Sequence, residues 1–333
     1  MTGKIRDTDY LFLTTRVRSL ECSLLDQNQM EQMLESASVE DAARILTDCG
    51  YPELEKVNGD TVSRMLIEEQ ERMLQDVGQF VPDPALLAVF QMKHDYHNVK
   101  VLLKAEAMGT EADYLMVGGG RVDRDVLSAA VQSGDFRNLP PLLGEAVEQA
   151  RQTLSASRDP QLGDFVLDEF YFREMMALAD GMGSRFLEGY VQRTIDLANL
   201  RTVVRVQRMG RGSEFLEGIL FAGGTMETGR ILSAVNAGAM LEELYASTPL
   251  QKAAEAGAAA IRGEILTLFE KLCDEAVLDY ARQAQFVGFG EAPVIAYLAA
   301  KEAEITAVRI IMTGRLAGLP TDVIRERMRE AYV

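Results

Sequence analysis

His94 and His97 are the only two histidines in the chain, and they flank Asp95 in the stretch HDYHNVK, residues 94–100. On a helix, side chains at i and i+3 share a face, so this pair has a spacing that can hold a metal ion with help from an outside ligand. The spacing is not the HExxH arrangement of zinc hydrolases. Asp95 has a counterpart in Asp196, 101 residues further on, whereas neither histidine has one. A structural role for Asp95 follows, and no metal ligand is expected.

Glycine clusters at 118–120 and 181–183 invite a phosphate-binding interpretation. A phosphate loop needs GxxxxGK[ST], in which backbone donors and a lysine face the phosphates. Neither cluster supplies that lysine and hydroxyl, and neither follows a credible strand, so both are expected to be turns and no cofactor is expected. No Ser/His/Asp or Cys/His constellation surrounds a nucleophile either, and no catalytic residue is assigned. Carboxylates such as Asp168 with Glu169, or Glu302 with Glu304, leave a general acid and base open. Their density on polar helix faces makes solvation the default.

The stronger pattern is a repeat. Asp95, Asn98, Lys100, Lys104 and Gly109 match Asp196, Asn199, Arg201, Arg205 and Gly210 at offsets 0, 3, 5, 9 and 14 from the aspartate. A third copy keeps only its end, where Arg309 and Gly314 hold the last spacing and Ala300 and Ala303 replace the acid and amide. Periods of this length mark a repeated architectural unit. Within each copy Tyr96, Val99 and Leu103, or Leu197, Leu200 and Val204, fall on one face, which is the core face. Lys100, Lys104, Arg201 and Arg205 point away from it. With Arg309 they are the candidates for partner contact, against the plainer alternative of ordinary pairing along a helix.

The elements that position these residues are helical. Ala, Leu, Glu, Arg, Gln and Met are abundant, prolines sit at punctuation sites such as Pro52, Pro82, Pro84, Pro140 and Pro141, and extended alternation is hard to find. Copy one is predicted to start at Pro84 with Asp83 as its cap and to stop on Gly109; copy two runs from about Ser184 to Gly210. Each is followed by glycines and a short helix, VLSAAVQSG at 126–134 and ILSAVNAG at 231–238. Segments 39–50 and 320–332 look similar, so fragments at the two ends of the chain are expected to complete one another. That closure makes a threefold pseudo-symmetric ring, where an open solenoid would leave the ends apart.

The totals narrow the function classes. The 333 residues carry 34 basic and 51 acidic side chains, a formal charge of −17, which argues against binding nucleic acid or an anionic lipid surface through bulk charge. An apolar share of 47% is enough for a substantial core. Three widely spaced cysteines, Cys22, Cys49 and Cys273, form no CxxC pair and fit a reducing compartment. The opening residues 1–9 are polar and charged, unlike a signal peptide, and no apolar run reaches the ~18 residues needed to span a bilayer. A soluble protein is expected.

Several stretches taken together resemble one family. They are YLFLTTRVRSLECSLL at 10–25, HDYHNVK at 94–100, DLANLR at 196–201, and the closing region from Pro293. That region holds Tyr297, Lys301, Glu302, Glu304, Arg309, Gly314, the run 318–320 and IRERMREAYV. The chain resembles, over nearly its whole length, the C subunit of prokaryotic V-type (A-type) ATPases, equivalent to the d subunit of eukaryotic vacuolar ATPases. The resemblance implies an all-α funnel of three pseudo-symmetric helical repeats around a central cavity. The expected divisions are 1–115, 116–215 and 216–333, with the N-terminal segment packing on the last repeat. It further implies a non-catalytic rotor subunit between the central stalk and the membrane proteolipid ring. Such a subunit is cytoplasmic, peripheral to the membrane through its complex, without direct lipid insertion, and couples ATP turnover to ion transport. The loss of the acid and amide from the third copy argues against identical contacts for all three repeats. Two other classes stay open from the residues alone: a helical-repeat scaffold of another assembly, and an all-helical enzyme using a metal at His94 and His97.

Overall fold

The computed structural model describes residues 5–111 and 115–333. Residues 1–4 of the polar opening stretch, and 112–114 at the end of the first expected repeat, lie outside the described residues. Among those described, the regular structure is helical and no strand occurs. In chain order the helices are α1 (Leu11–Glu21), α2 (Gln27–Glu35), α3 (Val39–Asp48), α4 (Gly59–Gly78), α5 (Pro84–Met108) and α6 (Arg124–Ser133). They continue with α7 (Pro141–Ser157), α8 (Pro160–Met182), α9 (Arg185–Arg208), α10 (Ser213–Leu216) and α11 (Thr228–Asn236). The last are α12 (Leu241–Leu244), α13 (Gln251–Ile261), α14 (Leu266–Arg282), α15 (Glu291–Leu316) and α16 (Thr321–Arg325). The fold is all-α.

Local signals set the helix ends. Asp83 accepts from the Ala85 N–H at 2.9 Å ahead of Pro84, and Asp159 accepts from the Gln161 N–H at 2.9 Å ahead of Pro160. An acidic cap and a proline in the first turn satisfy the same orphan donors in both. Gly109 and Gly210 close α5 and α9 with φ of 63° and 70°, a conformation that costs glycine least. Gly314 behaves differently from these two. It sits inside α15, which runs on to Leu316, and Gly318 at φ 68° follows the helix end. A Cβ at Gly314 would lie 2.8 Å from Ile324, so this glycine makes room for α16 to pack. Of the second glycine cluster, Gly181 lies in the last turn of α8 and Gly183 is its left-handed cap.

The chain divides into two compact units. One comprises Asp83–Ile195 with Phe221–Gly224; the other comprises Met1–Pro82, Asp196–Leu220 and Thr225–Val333. In the former, α5 and α8 run antiparallel, as the pairs Tyr96 with Glu174, Lys100 with Asp168 and Lys104 with Asp164 show. The unit also holds α6, α7 and the start of α9.

In the latter unit α15 is buried on nearly every side, which matches its apolar sequence EAPVIAYLAA. It packs on α1, α2, α3, α4, α14 and α16. Its core joins residues from both ends of the chain, including Met33, Leu46, Leu66, Val308, Ile311 and Met328. Arg315 donates to the carbonyls of Leu34 and Ser36 at 2.5 and 2.6 Å, and the Ala331 N–H donates to Gln27 at 3.2 Å. In the same unit α13 is rich in alanine and approaches α9 closely; a Cβ on its Gly257 would stand 2.7 Å from Val204.

Candidate functional site

The matched aspartates are buried, Asp95 at 0% and Asp196 at 2% exposure. Each accepts hydrogen bonds from a loop further along the chain that leads into a short helix, α6 for Asp95 and α11 for Asp196. Asp95 takes the Val122 N–H at 3.2 Å and the Arg121 Nε–H at 2.7 Å. Asp196 takes the Met226 N–H at 3.0 Å and the Thr225 hydroxyl. Asn98 adds a two-way clamp on the same loop, donating to the Val117 carbonyl at 2.8 Å and accepting its N–H at 2.9 Å. A buried carboxylate holding a loop amide satisfies both groups and fixes the loop to the helix.

A third carboxylate does the same from the third long helix, one helical turn beyond the position that Ala300 fills. Glu304, 4% exposed, accepts the Leu25 N–H. In all three cases the bonded residue stands two positions before a short helix. Val122 precedes Asp123 and α6, Met226 precedes Glu227 and α11, and Leu25 precedes Asp26 and α2. An acidic residue occupies the cap position each time, the favourable charge at a helix N-terminus. Sequence offsets alone miss the third instance, because its loop comes from the other end of the chain.

Two of these anchors sit in clusters of buried charge that a cation closes. Arg121 bridges Asp95 to Glu174, with Nη1 2.6 Å from Glu174, and the Tyr96 hydroxyl donates to Glu174 at 2.9 Å. Burial alone would lower the Arg121 pKa, but Glu174 and Asp95 outweigh it and hold the guanidinium above its ordinary value. Around Glu304, Lys301 lies 2.5 Å from Glu304 and 2.8 Å from Glu69, and the Tyr51 hydroxyl donates to Glu304 at 2.6 Å. Burial and the Glu304 charge push the Tyr51 phenol well up. Glu304 is therefore a buried structural acid, and the solvated default fails for it.

The glycine at 120 belongs to this geometry. A Cβ there would come 2.3 Å from Asp95 Oδ1. Gly120→Ala is expected to push the loop off the aspartate and lower stability by about 1–3 kcal/mol, the usual range for overpacking. Urea denaturation checks it; an unchanged midpoint would show that the loop does not depend on this approach.

The matched basic residues form two equivalent ladders. Lys100 and Lys104 reach Asp168 and Asp164 on α8 at 2.6 and 2.7 Å. Arg201 reaches Glu270 and Asp274 on α14 at 2.8 and 2.5 Å, and Arg205 reaches Glu270 at 2.9 Å. The acidic partners are four residues apart in both, one helical turn, so each ladder ties a repeat helix to an antiparallel neighbour. Arg205 keeps a side-chain exposure of 60% and Lys104 of 43%, and Arg309 is exposed. Among the described residues, the structure places Asn199 fully buried beside Asp196 on α9.

His94 is buried and His97 exposed, so the two are not presented together to one site. Burial, reinforced by Lys93 and His97, holds His94 neutral with a pKa of about 3. Among the described residues no group of three or more His, Cys, Asp or Glu side chains is placed to hold a metal ion. An open cleft of about 1070 Å³ borders the Lys301 cluster and is lined by Arg18, Glu21, Cys49, Glu69 and Arg72. Its charges are mixed, and burial raises the Cys49 pKa, which keeps that thiol protonated. No helix of the described residues is long and apolar enough to cross a membrane.

Comparison with known proteins agrees with a body of this kind. The sequence model of the family described as "ATP synthase (C/AC39) subunit" matches residues 13–327. The chain is 25% identical over 326 residues to the C subunit of the V-type sodium ATPase of Enterococcus hirae, covering 97% of this chain and 99% of that one. It is 24% identical over 330 residues to the C subunit of the V-type ATP synthase of Thermus thermophilus, covering 96% and 98%. The C subunit of the A-type ATP synthase of Methanocaldococcus jannaschii is 24% identical over 344 residues, covering 95% and 85%. The chain belongs to the ATP synthase (C/AC39) subunit family and is a structural, not a catalytic, subunit of a V/A-type ATPase.

Proposed function

We propose that this subunit is the rotor linker of its ATPase, joining the central stalk to the membrane proteolipid ring so that ATP turnover and ion movement are coupled. The observation that carries this reading is the family match across residues 13–327, with relatives covered almost end to end. The buried chemistry supports it in physical terms. A part that passes torque must keep its loops fixed to its helices. Three carboxylates that each hold a loop amide, two of them within buried ion clusters, give that rigidity. The same three-fold bonding supports three similar units, with 1–115, 116–215 and 216–333 as their extents and a funnel around a central cavity as their arrangement. The subunit would work in the cytoplasm, peripheral to the membrane. The exposed outer members of the basic set, Lys104, Arg205 and Arg309, are the proposed partner contacts. Lys100 and Arg201 contribute by orienting the ladders behind them.

Co-expression with the stalk and ring subunits tests this. The chain is expected to elute with both in one complex. A chain that elutes alone beside an assembled stalk and ring would overturn the reading.

A further inference from the structure

Residues 328–333 follow α16 without helical structure, yet they are tied to the body of their compact unit at several points. Arg329 reaches Asp274 on α14 at 2.7 Å, the Glu330 N–H donates to Glu275 at 3.3 Å, and Arg282 donates to the Ala331 carbonyl at 2.5 Å. The Ala331 N–H donates to the side chain of Gln27 at 3.2 Å. Met328 and Tyr332, on either side of these ties, are buried. Gln27 opens α2, two residues beyond Leu25, whose N–H is held by Glu304. The segment therefore grips the same loop as the third buried carboxylate.

On α5 the corresponding loop is clamped twice, by Asp95 and by Asn98. On α15 the place that matches Asn98 is filled by Ala303, whose side chain offers no polar group. Residues 330–332 stand there instead. With Leu25, Ala303 and Glu304 they line a cavity of about 10 Å³, room for one water at most. The second clamp on this loop is thus supplied from elsewhere in the chain, and its hold is of another kind. Asn98 belongs to a long, well-buried helix, whereas residues 328–333 are held by side chains and by no backbone ladder. Segments held in that way open at lower cost than the global fold. Asp274, which binds Arg329, also binds Arg201 of α9 at 2.5 Å, so it keeps a cation when the segment lifts. Val333 borders the open cleft that Glu69 and Lys301 also line. We propose that residues 328–333 are a releasable strap. Seated, it fixes loop 24–27 beside Glu304 in place of the missing amide; released, it opens the Glu304 cluster to the water of that cleft. The strap lies within one compact unit and does not depend on the rotor-linker reading.

Native-state amide exchange of the full chain in low denaturant tests this. The amides of Leu25, Glu330 and Ala331 are expected to exchange through one shared opening, at lower cost than the amide of Val308 in the core of α15. Leu25 exchanging together with Val308, at the level of global unfolding, would overturn the proposal. Arg329→Gln removes one charged tie and strands nothing, because Arg201 still pairs with Asp274. It is expected to speed exchange at Leu25 and Ala331 by about tenfold, the worth of one charge-assisted bond, while Val308 and residues 117–122 are unchanged. An unchanged rate at Leu25 overturns the strap. So does an equal rise at Val308, since the substitution would then act through the whole fold.

Discussion

Lys301→Met is expected to destabilise the protein by about 3–5 kcal/mol, the cost of leaving buried charges without a partner. Lys301 is 6% exposed and stands between Glu69 and Glu304, which are equally buried. Its ammonium also lies 4.5 Å from the centre of the Tyr51 ring. Removing it strands Glu304 without a cation and sets it against Glu69, whose remaining partner is the more exposed Arg72, in a low-dielectric setting where repulsion and lost solvation act together. Replacing all three, with Glu69→Gln and Glu304→Gln added, is expected to cost less than the lysine change alone, because no buried charge is then stranded and only the half-exposed Arg72 loses an ionic partner. Urea denaturation of the single and triple variants measures the difference. Because Glu304 also holds the Leu25 N–H and the Tyr51 hydroxyl, the single variant should show faster amide hydrogen exchange at residues 24–51. A single variant within about 1 kcal/mol of the parent, the range of an exposed ion pair, would mean that the lysine compensates nothing.

Arg121→Met is expected to have an effect of similar size, about 3–5 kcal/mol, by stranding Asp95 and Glu174. Here the damage should fall in the other compact unit. The loop 117–122 is held to α5 by Asn98 and Asp95, and Arg121 links that contact to α8 through Glu174. Without the guanidinium, amide exchange should rise across the loop and α6 while residues 24–51 stay protected. Lys301→Met should give the reverse pattern. Exchange rising in both regions with either variant would contradict two separate clusters.

Much of this architecture is visible in the residues. The helical character, the α5 cap at Asp83, the stops at Gly109 and Gly210 and the short helices after each repeat all follow from local signals, which act within a few residues. The aspartates are legible as repeated positions but not as loop anchors, since their partners lie 26 to 30 residues away. Lys301 and Glu304 are harder still. At i and i+3 they look like a solvated pair, and only the packing of α4 against α15, which brings Glu69 into reach, removes them from water. Arg121 carries the one usable hint, a lone cation directly after three glycines at 118–120. At Gly314 the repeat spacing suggests a helix end, whereas the glycine is there because Ile324 leaves no space for a side chain. Spacing cannot distinguish a glycine needed for its φ from one needed for its size.

The basic residues of the repeat illustrate a related point. Periodicity places Lys100, Lys104, Arg201 and Arg205 off the core face, and the structure gives each a carboxylate on an antiparallel helix. Ion pairs that are partly exposed contribute about 0.2–1 kcal/mol each. They also hold the register of neighbouring helices, since a slip of one turn would take each cation off its present carboxylate.

A rotor linker must stand between stalk and ring and turn with them. A density map of the assembled complex at side-chain resolution tests this most directly. The chain is expected on the rotor axis, touching the central stalk on one side and the proteolipid ring on the other. A chain found on a peripheral stalk, or attached to the stationary part of the machine without contact to the ring, would contradict that role.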